Sequence, residues 1–221
     1  MAPRAEFDED FGITGLTKYL KPPYVPGDEA GCLGMAELLF DQEGPVYAEE
    51  VLADVRTLVG SALSDEVLAT VWLTATRAHF DPVGTGVGIR PWLNRLAEVS
   101  ESAIRQEPGA AAPARPAPAG DPQLRAAVLA ELGGVGPALA EAAVTSRYAP
   151  PLSQAVPALV AAVTELPVDL GFRLLLRALK AYFVPIGPGR RARFKEIGRQ
   201  LGYHPLVVGD GGLNIWSDLV D

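Results

Sequence analysis

A chain of 221 residues with 48% hydrophobic and 21% charged side chains has the balance of a folded globular protein, large enough for one sizeable core or two smaller ones. Its formal net charge of -8 argues against generic nucleic-acid binding, and a single cysteine, Cys32, excludes an intrachain disulfide. Apolar runs look shorter than the roughly 20 residues that cross a bilayer, and the acidic start MAPRAEFDED lacks the order of a secretory signal, so a cytoplasmic protein is expected.

Residues 1–31 mix acids, Gly and Pro without a sustained period. They read as an extended arm, with Phe7, Phe11, Tyr19 and Tyr24 as its anchors. Leu33 to Phe40 then gives a short helix stopped at Gly44. Val51, Leu52, Val55, Leu58, Val59, Ala62 and Leu63 recur at helical spacing, which predicts a helix over about 46–62 with Pro45 near its start. Ser64 caps the next helix, whose core face is Val67, Leu68, Val71, Trp72 and Ala75. His79 extends that face as a core-edge residue, with no second ligand at metal spacing beside it. The run DPVGTGVGIR, with glycines at 84, 86 and 88, has the look of a phosphate cradle. It follows a helix instead of a strand, however, and no GKS or GKT comes after it, so a plain inter-helix loop is the better reading. A helix from Arg90 to about Gln106 follows, packing Trp92, Leu93, Leu96, Val99 and Ile104.

From Glu107 to Gly120 no apolar side chain exceeds alanine, which predicts an Ala/Pro-rich linker or mobile loop. Asp121 and Pro122 supply an N-cap and an N1 proline. They open a helix that should end at Gly133 and Gly134, with an alanine-rich helix over about 137–147 after it. Ser153 to Leu166 forms another. The densest periodicity lies in Val168 to Phe183, where Val168, Phe172, Leu175, Leu176, Leu179 and Phe183 share one apolar face, and Arg173, Arg177 and Lys180 line a stripe opposite it. Pro188 starts a last clear helix carrying Phe194, Ile197 and Leu201. Beyond it the tail reads either as a hairpin of 206–208 with 213–216 or as a helix to the end, the helix being preferred.

These elements predict an all-α protein, an irregular antiparallel helical bundle or pair of bundles with about eight or nine helices and room for a short C-terminal hairpin. Its parts are the arm 1–31, an acidic helical half 32–106, the linker 107–120 and a helical half 121–221 with a basic C-terminal surface. Charge is segregated between the halves: residues 1–106 carry 17 acidic and 8 basic side chains, whereas 107–221 carry 10 and 11.

The candidate partner-binding residues are the cations of the last two helices: Arg173, Arg177, Lys180, Arg190, Arg191, Arg193, Lys195 and Arg199. Guanidinium forks suit the carboxylates of an acidic protein surface. The competing reading pairs them with the chain's own acids near Glu49, Glu50, Asp54, Asp65 and Glu66. FKEIGRQLGYHP, Phe194 to Pro205, resembles the first helix and turn of a helix-turn-helix, although Leu206 to Gly212 is apolar then glycine-rich where a recognition helix should stand. Ser217 and Asp218 lie within sequence reach of His204, but nothing around them supplies an oxyanion hole. No metal or cofactor is expected, and the reading leans away from catalysis. The leading expectation is a non-catalytic protein-interaction module acting through charge-segregated surfaces. The alternative is a nucleic-acid-associated regulator using the segment from Phe194 to Trp216. A phosphate-handling enzyme would need Gly84 to Gly88 to line a pocket.

Overall fold

A computed structural model describes residues 10–21, 23, 25, 27–106, 121–147, 149–208 and 212–220. Residues 107–120, and with them the expected linker, lie outside the described residues, as do Phe7 and Tyr24 of the expected arm. The described residues form an all-α structure of nine helices with one parallel pair of two-residue strands. The chain divides into two compact units, Phe11–Pro116 and Met1–Asp10 with Ala117–Asp221.

The first unit holds α1 (Gly12–Tyr19), α2 (Glu29–Glu43), α3 (Pro45–Gly60), α4 (Asp65–Thr76) and α5 (Ile89–Gln106). Helix α1 corrects the expectation of an extended arm: residues 12–17 are buried. Its sequence, GITGLTKY, carries two glycines and no local cap. The missing cap is tertiary, since buried Asp54 of α3 accepts the Ile13 N–H at 2.9 Å, satisfying one of the donors a helix start leaves open. Helices α2 and α3 meet at Gly44, whose φ of +83° is open to glycine, with Pro45 at N1. Ser64 caps α4 as its sequence predicts, accepting from the Val67 N–H. Arg90 then ties this corner together: it pairs with Asp65 at 2.6 Å and donates to the carbonyl of Val59, in the last turn of α3, and to that of Leu63 in the connection to α4.

The unit's aromatic core is Trp72, Phe80 and Trp92. The Trp92 ring meets Trp72 at 5.3 Å and Phe80 at 4.8 Å, both edge-to-face. Two consecutive non-glycine residues, Arg77 and Ala78, stand at φ of +53° and +54°, a conformation that costs an L residue about 1–2 kcal/mol each. The turn they make brings the Phe80 carbonyl back to the Trp72 indole N–H at 2.9 Å, so core packing and a buried hydrogen bond offset the strain.

In the second unit, α6 (Pro122–Thr145), α7 (Ala155–Glu165) and α8 (Val168–Tyr182) pack on one another, followed by β1 (Pro185–Ile186), α9 (Pro188–Gln200), a 3-10 turn (Pro205–Val207) and β2 (Asn214–Ile215). Asp121 caps α6 through the Gln123 and Leu124 N–H groups. The helix does not end at Gly133 and Gly134 but runs 24 residues through them and Pro137. Its buried stripe, Leu124, Val128, Leu132, Val135, Leu139 and Ala143, stays in helical phase across the glycines, and packing that stripe outweighs their weak propensity. This continuity also corrects the expectation about apolar length: among the described residues α6 is the one helix long and apolar enough, by length and composition, to cross a membrane. At the far end of α7, Arg125 donates to the carbonyls of Val163, Thr164 and Leu166, closing that helix terminus from outside.

Among the described residues, the tail forms neither the preferred helix to its end nor the alternative hairpin of 206–208 with 213–216. Residues 205–207 are the 3-10 turn, and 214–215 pair in parallel with 185–186, in the register Pro185 to Asn214 and Ile186 to Ile215.

Candidate functional site

Helix α8 places the three cations of the predicted seam in the interior. Arg173, Arg177 and Lys180 are 4%, 5% and 5% exposed, as buried as the leucines beside them. Each meets a carboxylate. Arg173 reaches back one turn to Asp169 at 2.8 Å. Lys180 Nζ lies 3.0 Å from Asp10 Oδ1 and also donates to the Val207 carbonyl at 3.2 Å, while Arg177 Nη1 stands 3.7 Å from Asp10 Oδ2. A charge of this kind tolerates removal from water only when a counter-ion and hydrogen bonds come with it. In this structure the three side chains are therefore internal supports and are not offered to solvent. The partner, Asp10, lies 170 positions from Lys180, which is why a local periodicity argument put the stripe outside.

On α9 the cations divide. Arg190 and Arg193 both converge on Glu131 of α6, Arg190 Nε at 3.2 Å from Oε2 and Arg193 Nε on Oε1. The Arg190 guanidinium lies over Gly134, where a Cβ would come within 2.7 Å of Nη2. The glycine that seemed to end a helix thus makes room for an arginine. Arg191 is half-buried, whereas Lys195 and Arg199 point outward. Arg199 pairs with Glu196 one turn earlier at 2.6 Å, and hydrogen bonds from Arg199 and then Gln200 hold the Glu196 carboxyl down at about 2. Asp10, Asp169, Glu131 and Glu196 thus pair with Arg173, Arg177, Lys180, Arg190, Arg193 and Arg199, while Asp65 serves Arg90 and Asp54 caps α1.

After α9 the chain folds back. Tyr203 stacks on Phe172 at 6.1 Å and donates from its hydroxyl to the Asp169 carbonyl at 3.0 Å, and Val207 and Val208 are buried. A Cβ on Gly198 would meet Val208 at 3.0 Å, so the turn lies close against α9. Where a helix-turn-helix would place its recognition helix, this chain has the three-residue 3-10 turn.

The outward-facing feature of this unit that periodicity did not find is aromatic. Phe183, assigned from the sequence to the buried face of α8, instead ends that helix at φ +53° and is 59% exposed. Trp216, just past β2, is 56% exposed. Asn214 holds both: its Nδ2 donates to the Phe183 carbonyl at 2.7 Å, and its Oδ1 accepts from the Trp216 indole N–H at 2.9 Å. The Trp216 backbone N–H is fixed in turn on the Ile186 carbonyl at 3.0 Å. An indole whose polar group is already satisfied presents an apolar face to its surroundings, and Leu219 and Val220 farther along the tail are exposed as well.

The remaining candidates have structural occupations. In the loop of Gly84, Gly86 and Gly88, the Asp81 carboxylate accepts the Val83 N–H at 3.0 Å and lies 2.7 Å from where a Gly84 Cβ would be. A carboxylate fills the cradle that a phosphate would need. His79 Nε2 is hydrogen-bonded to the Val25 carbonyl at 3.1 Å, as expected of a core-edge ring. Cys32 is fully buried, and burial first, with Asp28 second, pushes its thiol up to about 12, far from a reactive thiolate. Ser217 donates to Asp218, while His204 Nδ1 accepts the Leu206 N–H. Among the described residues no group of three His, Cys, Asp or Glu is placed to hold a metal ion. The chain matches no protein-family model, no curated protein and no solved structure.

Proposed function

We propose that this chain is a non-catalytic helical protein that works by binding another protein, in a cytoplasmic setting, and that its contact face lies on the second unit around Phe183 and Trp216. The observation that carries the reading is the Asn214 bridge. One amide holds the Trp216 indole in an exposed position and ties it to the main chain of Phe183, whose exposed ring leaves a backbone conformation that disfavours side chains. Preordered aromatics lose little entropy on docking, and tryptophan is over-represented among the residues that dominate binding energy. The outward cations Lys195 and Arg199 on the same unit favour a partner of acidic surface. The buried arginines support this face from within, without touching the partner.

Affinity capture with the full chain, compared with W216A and with K195E/R199E, tests the proposal. A partner held by the wild type should be lost by about thirtyfold or more from W216A, the loss typical of a central anchor. The denaturation midpoint should stay unchanged, because both ends of the change are at the surface. Identical capture by all three proteins would overturn the reading.

A further inference from the structure

The small sheet of the second unit has one open edge. Pro185 lacks an N–H, and the Gly187 carbonyl is taken by the Arg191 N–H at 3.1 Å, so the side of β1 away from β2 offers no ladder. At β2 the Trp216 N–H donates to the Ile186 carbonyl at 3.0 Å, and the register sets Ile215 beside Ile186. Successive residues of a strand aim their N–H and C=O groups to opposite sides, so Ile215 turns both of its groups away from β1. Leu213, two residues earlier, is in the same phase. Among the described residues, no main-chain hydrogen bond engages either of them.

The pleat separates the side chains. Asn214 and Trp216 stand on one face, as the bond between them requires, and Leu213 and Ile215, both half-buried, stand on the other. No charged residue occurs from Gly212 to Ser217, in a chain whose formal net charge is -8. Edge strands that remain alone are commonly guarded by a lysine or a proline, and this stretch has neither.

We infer that the outer edge of β2 pairs with the same edge of a second copy of this chain, antiparallel about a two-fold axis through Ile215. An N–H and a C=O set side by side at strand spacing are satisfied together by an extended backbone, which excludes a helix or a small molecule. The edge is complementary to itself: Ile215 exchanges both hydrogen bonds with its own symmetry mate, the two isoleucine side chains meet across the pair, and Leu213 comes opposite Ser217. Charge selects the second copy, because two acidic molecules meet at this neutral stretch with no carboxylates opposed, Asp218 falling across from Gly212. Since the far edge of β1 is closed, the sheet stops at the order β1-β2-β2-β1, a dimer and not a filament. Trp216 stands off the face in both copies, so pairing sets two indoles side by side and enlarges the aromatic face. The inference does not rest on that face binding another protein.

Sedimentation equilibrium of the full chain tests it, with amide hydrogen exchange as the residue-level readout. A monomer–dimer equilibrium is expected, the Ile215 amide becoming more protected as concentration rises. I215P removes the outward N–H and no hydrogen bond within the chain, so it should keep the wild-type circular dichroism and weaken dimerisation by about tenfold or more. W216A should dimerise like the wild type even where it loses a captured protein, which separates this inference from the reading of the aromatic face. A chain that stays monomeric up to roughly 1 mM would overturn the inference. So would a dimer as tight in I215P as in the wild type, or one lost in W216A but kept in I215P. A dimer whose Ile215 amide exchanges as fast as in the monomer would overturn it as well, and that measurement decides the matter if I215P does not fold.

Discussion

Replacing Asp10 by alanine removes the carboxylate on which two buried cations of α8 depend. The Asp10 side chain is 3% exposed, Lys180 lies 3.0 Å from it and Arg177 3.7 Å. Breaking a buried ion pair from one side typically costs about 3–5 kcal/mol, because the surviving charge stays in a low-dielectric site. Lys180 retains its bond to the Val207 carbonyl and both cations keep further contacts, which places the expected loss near the lower end, about 3 kcal/mol. That is a fall of roughly 10 °C in midpoint for a chain of this size. Urea unfolding of D10A, with the slope checked against wild type, measures it. Because the cost comes from orphaned charge, the double variant D10L/K180M should recover a large part of it, and the two single losses should not add. A D10A loss under about 0.5 kcal/mol, the scale of an ordinary surface change, would refute the assignment of these groups as an interior network. So would strict additivity in the cycle.

Further predictions concern a buried thiol and two helical glycines in different surroundings. Cys32 should resist a thiol-specific reagent in the native protein and react stoichiometrically once unfolded. Since burial raises its folded value from about 9 to about 12, the unfolded state loses its proton first, and Cys32 contributes a loss of stability as pH climbs between those values and none below them. Native reactivity at neutral pH would contradict the burial. Gly171→Ala should destabilise by about 1–2 kcal/mol, because the new Cβ would lie 3.0 Å from the Val163 Cα on α7. Gly133→Ala, with open space around it in the middle of α6, should stabilise by roughly 0.5–1 kcal/mol. Thermal melts of both variants check the pair, and a gain at Gly171 would show that α7 and α8 are not in close contact there.

Where the determinants are local, the sequence was informative. Asp121 with Pro122, Ser64 before Asp65 and Glu66, and Pro45 after Gly44 announce helix starts that the structure places within a residue or two. The periodicity of Val168 to Phe183 likewise identifies α8, which ends one residue earlier at Tyr182. Three of the misreadings involve a partner far away in the chain. Helix α1 is invisible in GITGLTKY because its cap comes from Asp54, and the glycines of α6 read as a stop because Arg190, which needs the space over Gly134, comes 56 residues later. The basic stripe was read as a surface because nothing in its own helix besides Asp169 announces an acid. The exposed aromatics were missed for the converse reason. Phe183 falls in phase with a buried face but lies at the residue where the helix ends, so the rotation per residue no longer applies to it.

The pairing of Asp10 with Lys180 also bears on how the protein is made. At a synthesis rate of about 5–20 residues per second, the 170 positions between them correspond to on the order of 10–30 s in which the aspartate has left the ribosome and its lysine has not. The unit from Phe11 to Pro116 has all its residues in one continuous stretch and is free to fold during that interval. The other unit must wait, its Asp10 held in reserve until translation delivers the helix that pairs with it.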